Sequence, residues 1–459
     1  MPKFRHFPLL VALLIGACTK APEHATTLLA RAEPVRESRA LCLAEVRGDK
    51  PVDIALRRAQ AGTRHLPGRA DPWIAAGRGW VREARLNSDP GFYLNVDGCA
   101  SEALAATPDF IPALELHSLV LMNDHRFEQA RALSEKILAQ APDNAVADGI
   151  LSDALLEMGR YPEAAQAVQA QMSAHPGMAA NARASHLNWL RGDTRSAKLF
   201  IRDALMDRNA DDPEAAAWTF VEAGMIYWHE GDYAGADAIF SEALRWLPDY
   251  PPALVGRGRV ALAEGRGKDA IAALTKAQHL HPLVETAWLL GDAYTLAGDD
   301  AQARLSYADA ERQGRRGDKL TLGFFLADKG RNPGEALRLI EEERRNRGGA
   351  ACAAGVSNAA TAACGGIYVD DAYAWALYRA GRLDDARRVS AQATRMGTRD
   401  ARLLYHAGAI DLAAGETARG RKRIAQALAL NPGFDLTGAA EARGLLDARA
   451  RAATALARN

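Results

Sequence analysis

Apolar and small residues recur three and four positions apart through most of this chain, in short runs broken by glycine and proline. The run from Ala217 to Pro282 shows the pattern most cleanly, and its two halves repeat at a spacing of 34. Gly224 matches Gly258, Gly231 matches Gly265, Ala236 matches Ala270, Ala243 matches Ala277 and Pro248 matches Pro282. Each half predicts two amphipathic helices joined by a tight turn. Gly231 follows the first helix and suits a left-handed C-cap. Pro248 follows the second, where it cannot continue the hydrogen-bond ladder. Gly224 and Ala236 mark places where helices approach closely, and Tyr227, Tyr233 and Phe240 are large enough to fill the gaps between neighbours.

The same phase extends in both directions. Pro108, Pro142 and Pro176 lie at successive intervals of 34, with Ala130 and Ala164 at the small position and Phe127 and Tyr161 at the aromatic one. Trp73, Gly77 and Trp80 predict the first helix of an earlier unit. Units shortened by one residue carry Trp189, Gly192, Ala197 and Ala204, and then Gly291, Tyr294, Gly298, Ala303 and Tyr307. Residues 313–346 read as a degenerate unit, with helices over Phe324–Asp328 and Ala336–Ile340. Two further units carry Tyr373, Gly381 and Ala386, then Gly408, Gly415, Ala427 and Pro432.

A 34-residue period with these residue types resembles the tetratricopeptide repeat, a helix–turn–helix unit that stacks into a solenoid. The resemblance implies an all-α fold, a right-handed α–α superhelix. One unit cannot bury its apolar faces alone, so neighbours must stack, and truncation at either end should be better tolerated than a cut in the middle. The expected divisions are a signal peptide over 1–17, a tether over 18–38, repeats over 39–345, a Gly/Ala-rich insertion over 346–367, repeats over 368–434 and a capping helix over 435–459. Ser38 is the expected cap of the first helix.

The amino-terminal stretch changes the picture of where the protein works. Lys3 and Arg5 precede an apolar run from Phe7 to Ile15, too short to span a bilayer. Ile15-Gly16-Ala17-Cys18 resembles the lipobox of bacterial lipoproteins, which implies cleavage before Cys18 and acylation of that residue. Thr19 in place of Asp implies no retention at the inner membrane, hence an outer-membrane protein facing the periplasm. Acyl chains hold a protein on a membrane at ~0.8 kcal/mol per buried CH₂.

Lysine plus arginine and aspartate plus glutamate both number 57, which argues against a general nucleic-acid binder. Besides Cys18 there are Cys42, Cys99, Cys352 and Cys364, which allow three pairings. The short, flexible segment between Cys352 and Cys364 favours a disulfide there. Cys42 and Cys99 read either as a second pair or as buried small apolar groups. The cysteine spacing matches no zinc motif, and His279 and His281 diverge at i and i+2. Glu341-Glu342-Glu343 reads as a solvated helix face. No phosphate loop, nucleophile elbow or paired helical histidines are found, so the expectation is a scaffold without enzyme activity, cofactor or metal.

In tetratricopeptide folds the first helix of each unit lines the concave side. Phase carries that role to Arg183, Arg191, Trp218, Met225, Trp228, Arg259 and Asp292, and near the C-terminus to Trp375, Tyr378, Arg379 and Tyr405. Val221, His229, Trp288 and Asp371 share the register. Aromatic and arginine side chains dominate binding hot spots. The implied occupant is a protein partner or an extended segment of one, in envelope assembly or secretion. The alternative is a carbohydrate or other envelope polymer stacked on the aromatics. Each of these aromatics also reads as core packing.

Overall fold

The computed structural model describes residues 34–347 and 365–456. The lipobox with Cys18, and Cys352 with Cys364, lie outside the described residues. Every regular element among the described residues is helical. The chain divides into two compact units: residues 34–156 with 162–175, and residues 157–161 with the described part of 176–459.

The first unit holds α1 (Pro34–Cys42), α2 (Pro51–His65), α3 (Ala70–Leu86), α4 (Tyr93–Ala106), α5 (Ile111–Asn123) and α6 (Phe127–Gln140), and most of α7 (Ala145–Glu157) and α8 (Tyr161–Ala174). Ser38 lies inside α1 and does not cap it: the helix starts at Pro34, four residues before the predicted cap. The last residues of the expected tether are therefore helical. Cys42 and Cys99 form a disulfide, with Cα atoms 4.7 Å apart, that ties α1 to α4. The helices approach so closely there that a Cβ on Gly98 would lie 2.5 Å from the Ser38 carbonyl oxygen. The indole of Trp80 donates to the Cys42 carbonyl at 2.8 Å, and Arg39 pairs with buried Glu102 at 2.8 Å.

The second unit runs through α9 (Met178–Leu190), α10 (Thr194–Met206), α11 (Pro213–His229), α12 (Tyr233–Trp246), α13 (Pro251–Ala263), α14 (Gly267–Leu280), α15 (Val284–Ala297) and α16 (Asp300–Arg316). It continues with α17 (Lys319–Asp328), α18 (Pro333–Arg347), α19 (Ile367–Arg379), α20 (Leu383–Ala393), α21 (Ala401–Ala413), α22 (Thr417–Leu430) and α23 (Leu436–Leu456). The weak stretch is more regular than its sequence predicts, since α17 and α18 are both longer than the segments expected over Phe324–Asp328 and Ala336–Ile340. The glutamate run on α18 is only partly a solvated face. Glu343 pairs with Arg347 one turn on, while Glu342 reaches Lys319 and Glu341 accepts from the Tyr373 hydroxyl on neighbouring helices.

One packing rule joins the helices of a repeat. A glycine on the first helix faces a large side chain 16 residues later on the second: Gly224 with Phe240, Gly258 with Leu274, Gly291 with Tyr307 and Gly408 with Ile424. A Cβ on any of these four glycines would come within 2.7 Å of its partner. Phe240 also touches Gly256 of the following repeat, so one fully buried ring fits between glycines on two successive first helices. Ala236, Ala243, Ala270 and Ala277 are fully buried at the small positions. The turn chemistry is equally repetitive. Gly231 and Gly265 end their helices at φ +76° and +75°, where glycine alone is free of strain. At three turns the next residue is aspartate, and Asp193, Asp232 and Asp299 each accept a backbone N–H at the start of the second helix.

A second seam within this unit was not expected from nearest-neighbour stacking. Side chains and loops about 200 residues apart meet, which is about six repeats of the 34-residue period. Asn431, fully buried, donates to the Trp228 carbonyl at 2.7 Å and accepts from the Tyr233 hydroxyl at 2.6 Å. The Tyr233 oxygen in turn accepts from Gly433 N–H at 2.8 Å. The Thr398 hydroxyl donates to the Leu190 carbonyl, and His229 lies 3.3 Å from Asp400. The superhelix thus returns on itself, and its last repeats seat on the turns of its earlier ones.

Candidate functional site

The returning segment leaves one open cleft of about 220 Å³ against the first helices of three successive repeats. Trp228 comes from α11, Arg259 and Leu262 from α13, and Glu285, Trp288 and Asp292 from α15. The opposite wall is Arg402 of α21, then residues 432–436 and Arg443. The repeat phase explains the first wall, because equivalent positions on stacked first helices share one face. The second wall exists only because the chain returns.

The charges here are buried and mostly paired. Arg259 forms an ion pair with Glu285, both largely buried, and its guanidinium lies 5.4 Å from the Trp228 ring centre. Asp292 meets Lys329 at 2.7 Å and accepts from the Tyr307 hydroxyl at 2.6 Å. Burial raises the carboxyl pKa of Asp292, and the Lys329 ammonium opposes that shift. Burial also pushes neighbouring Asp328 up to about 8, helped by the charge of Asp435. For Lys329 burial works against the charge, but Asp292, Asp435 and Asp328 outweigh it and raise the ammonium pKa. At Asp400 burial is outweighed by His229, Arg402 and the N–H groups of Leu403 and Arg402, which hold its carboxyl below the usual range. His229 is pushed down to about 4, first by burial, so its contact with Asp400 is neutral imidazole to carboxylate at pH 7.

The residues assigned to the groove from phase fall into separate places. Trp228, Arg259 and Asp292, with Trp288, come together in the cleft. Trp375, Tyr378, Arg379 and Tyr405 form a second group that is packing: Trp375 is 1% exposed and stacks on His406 at 4.1 Å, with Tyr378 and Tyr405 rings at 5.1 and 5.5 Å. Arg379 lies over the Trp375 ring, and the Tyr405 hydroxyl donates to Glu441 at 2.6 Å. Arg183 and Trp218 are buried, and Arg191 is exposed at the end of α9. Met225 lines a separate void of about 10 Å³ with His186, Glu222 and His229. The C-terminal group thus lies apart from Trp228, Arg259 and Asp292, with Trp375 packed on Tyr405 of α21 and Tyr405 bonded to Glu441 of α23. Sequence reasoning missed Arg402, Lys329, Phe434 and Asp435. Arg402 was within reach, since it stands one helical turn before Tyr405, i to i+3.

Comparison with known proteins agrees with the repeat. A family model described as "Tetratricopeptide repeat" matches residues 121–187 and 227–284. A curated relative, "Cellulose synthase operon protein C" of Pseudomonas fluorescens (strain SBW25), is 28% identical over 210 residues, 43% of this chain and 16% of that protein. The match thus spans about a sixth of the relative's length. Among solved structures, PilW, titled a widely conserved type IV pilus biogenesis factor, is 17% identical over 45% of this chain and 94% of its own, at TM-score 0.37. The human IFIT1 dimer with PPP-AAAA is 15% identical over 88% of this chain and 96% of its own, at TM-score 0.43. With the family model matched and paired helices repeating in the same phase on both sides of the matched residues, the chain is a tetratricopeptide repeat protein.

Proposed function

We propose that this chain is a lipid-anchored, non-enzymatic scaffold of the bacterial cell envelope that holds a protein partner, with Cys18 acylated and the repeats facing the periplasm. The observation that carries the reading is the cleft wall itself. Three successive first helices bring Trp228, Arg259, Trp288 and Asp292 to one recess, and tryptophan and arginine are residue types that dominate interface hot spots. The cleft takes an anchor of about one side chain, with the turns around it as rim. The anchor to the membrane rests on the sequence alone, through the basic start, the short apolar run and Ile15-Gly16-Ala17-Cys18. The relative's name places that protein in a cellulose synthase operon, which favours a partner in an envelope machine.

Crosslinking of the native protein on its membrane tests the reading. A partner whose crosslinking is lost in Trp228→Ala with Arg259→Ala, and not in an exposed control such as Leu199→Ala, supports it. Copurifying glycan without a protein partner would instead favour polymer binding. Radiolabelled palmitate incorporated by the wild type and not by Cys18→Ser tests the anchor, and equal labelling in both would rule it out.

A further inference from the structure

Buried hydrogen-bond donors are left over in the cleft, while each of its carboxylates already holds a partner through one oxygen. Glu285 is taken by Arg259, Asp292 by Lys329 and Tyr307, and Asp435 accepts from Gly438 N–H at 2.6 Å. Against these, the Trp228 and Trp288 indole N–H groups and Arg259 Nε are buried without a partner. Arg402 adds a whole guanidinium. Its carbon lies 4.9 Å from the Phe324 ring centre; among the described residues none pairs with its side chain by hydrogen bond or ion pair, and the carboxylates of Asp400, Asp371, Asp435 and Glu285 favour its charge from further off. Leaving buried donors unmet costs about 1–3 kcal/mol each. A cationic occupant is disfavoured, because Arg259 already lies over Trp228 and Lys329 over Trp288, at 5.4 and 5.6 Å. The remaining lining is apolar: Leu262, Leu289, Leu296, Phe434 and Leu436. At about 220 Å³ the cleft falls below the ~300 Å³ at which drug-sized sites begin.

We propose that this cleft binds a small apolar carboxylate, about the size of one amino-acid residue, its carboxylate on Arg402 and its body between the tryptophans and Phe434. The ligand bridges the two walls, joining α11–α15 to the returning α21–α23, so its binding tightens the long-range seam. A guanidinium meets a carboxylate in two parallel hydrogen bonds, which a neutral isostere cannot reproduce. The ligand takes the same recess that the partner reading uses, and a test on the purified chain, where no partner is present, separates the two.

Calorimetry with 3-phenylpropionate, its amide and the matching amine decides the matter. The acid should bind at least tenfold tighter than the amide, and the amine should not bind. Arg402→Gln should weaken the acid at least tenfold and leave the amide unchanged, while Arg402→Lys retains part of the preference. Should Arg402→Gln fail to fold, the wild-type ranking still decides. Shifts of the Trp228 and Trp288 indole N–H resonances, assigned with Trp228→Phe and Trp288→Phe, then locate the ligand. An acid no tighter than its amide, a preference for the amine, or shifts elsewhere would overturn the proposal. An acetylated tripeptide ending in phenylalanine should bind more weakly than the free acid, and tighter binding would overturn the assignment to a small molecule.

Discussion

Two seams hold the second unit together, and they are built from opposite materials. Between adjacent helices the contact is apolar and steric: a glycine faces a ring or branched chain 16 positions on, and alanines fill the remaining close approaches. Between repeats about 200 residues apart the contact is polar and directional, made by Asn431, Tyr233, Thr398, Asp400 and His229. The first seam sets how each repeat stacks. The second decides whether the stack stays open or closes, and it builds half of the cleft. The difference teaches that repeat stacking alone does not define the available binding surface, because the chain's returning segment supplies one wall of the cleft.

Substitutions separate the seams, and the largest effect belongs to the first. Phe240→Ala empties the space between Gly224 and Gly256 and should destabilise the unit by about 4 kcal/mol in denaturant unfolding. Asn431→Ala strands the Trp228 carbonyl and the Tyr233 hydroxyl, with an expected loss of about 3 kcal/mol. A loss below about 0.5 kcal/mol would mean the long-range seam is not formed in solution.

The packing seam was legible in the sequence and the closing seam was not, for a physical reason. Gly224, Ala236 and Phe240 recur because every repeat must solve the same local problem, so their phase survives from unit to unit. Asn431 and Thr398 solve a problem that arises once per superhelical turn, and a single polar residue in a loop carries no period. For the same reason Trp228, Arg259 and Asp292 reached the site by phase, while Phe434 and Asp435 did not. Trp375 and Tyr405 share that phase but are covered by the chain's own α21 and α23. Truncation at the C-terminus should cost more than nearest-neighbour stacking alone implies, because residues 431–437 bond to residues far earlier in the chain. In the first unit Cys42 and Cys99 were visible only as one of several pairings.

The packing of α9, α10 and α11 around their small void should be pH-dependent. Burial pushes Glu222, beside His229, up to about 8, so the native unit keeps a proton that the unfolded chain releases near the ordinary carboxylate pKa of about 4.5. That stability is complete below about pH 4.5 and is lost as pH rises through 8. His186 and His229, held near 4 by burial, act oppositely and lose stability as pH falls from 6.5 to 4. Above pH 6.5 the carboxyl effect remains, and Glu222→Gln should remove about 2 kcal/mol of the decline between pH 6.5 and 8. Thermal unfolding across that range checks it. The smallest effect is at Tyr233→Phe, which removes the hydroxyl shared by Asn431 and Gly433 and should cost about 1 kcal/mol.

The most direct measurement is the distance between the two loops that meet at the closing seam. Arg191 and Arg399 are both exposed, and they flank the point where Gly192 approaches Gly397. Spin labels placed at these two positions, with Cys18, Cys352 and Cys364 replaced, should report a single short distance. A broad distribution at long distances would show a superhelix that stays open, and would contradict the account.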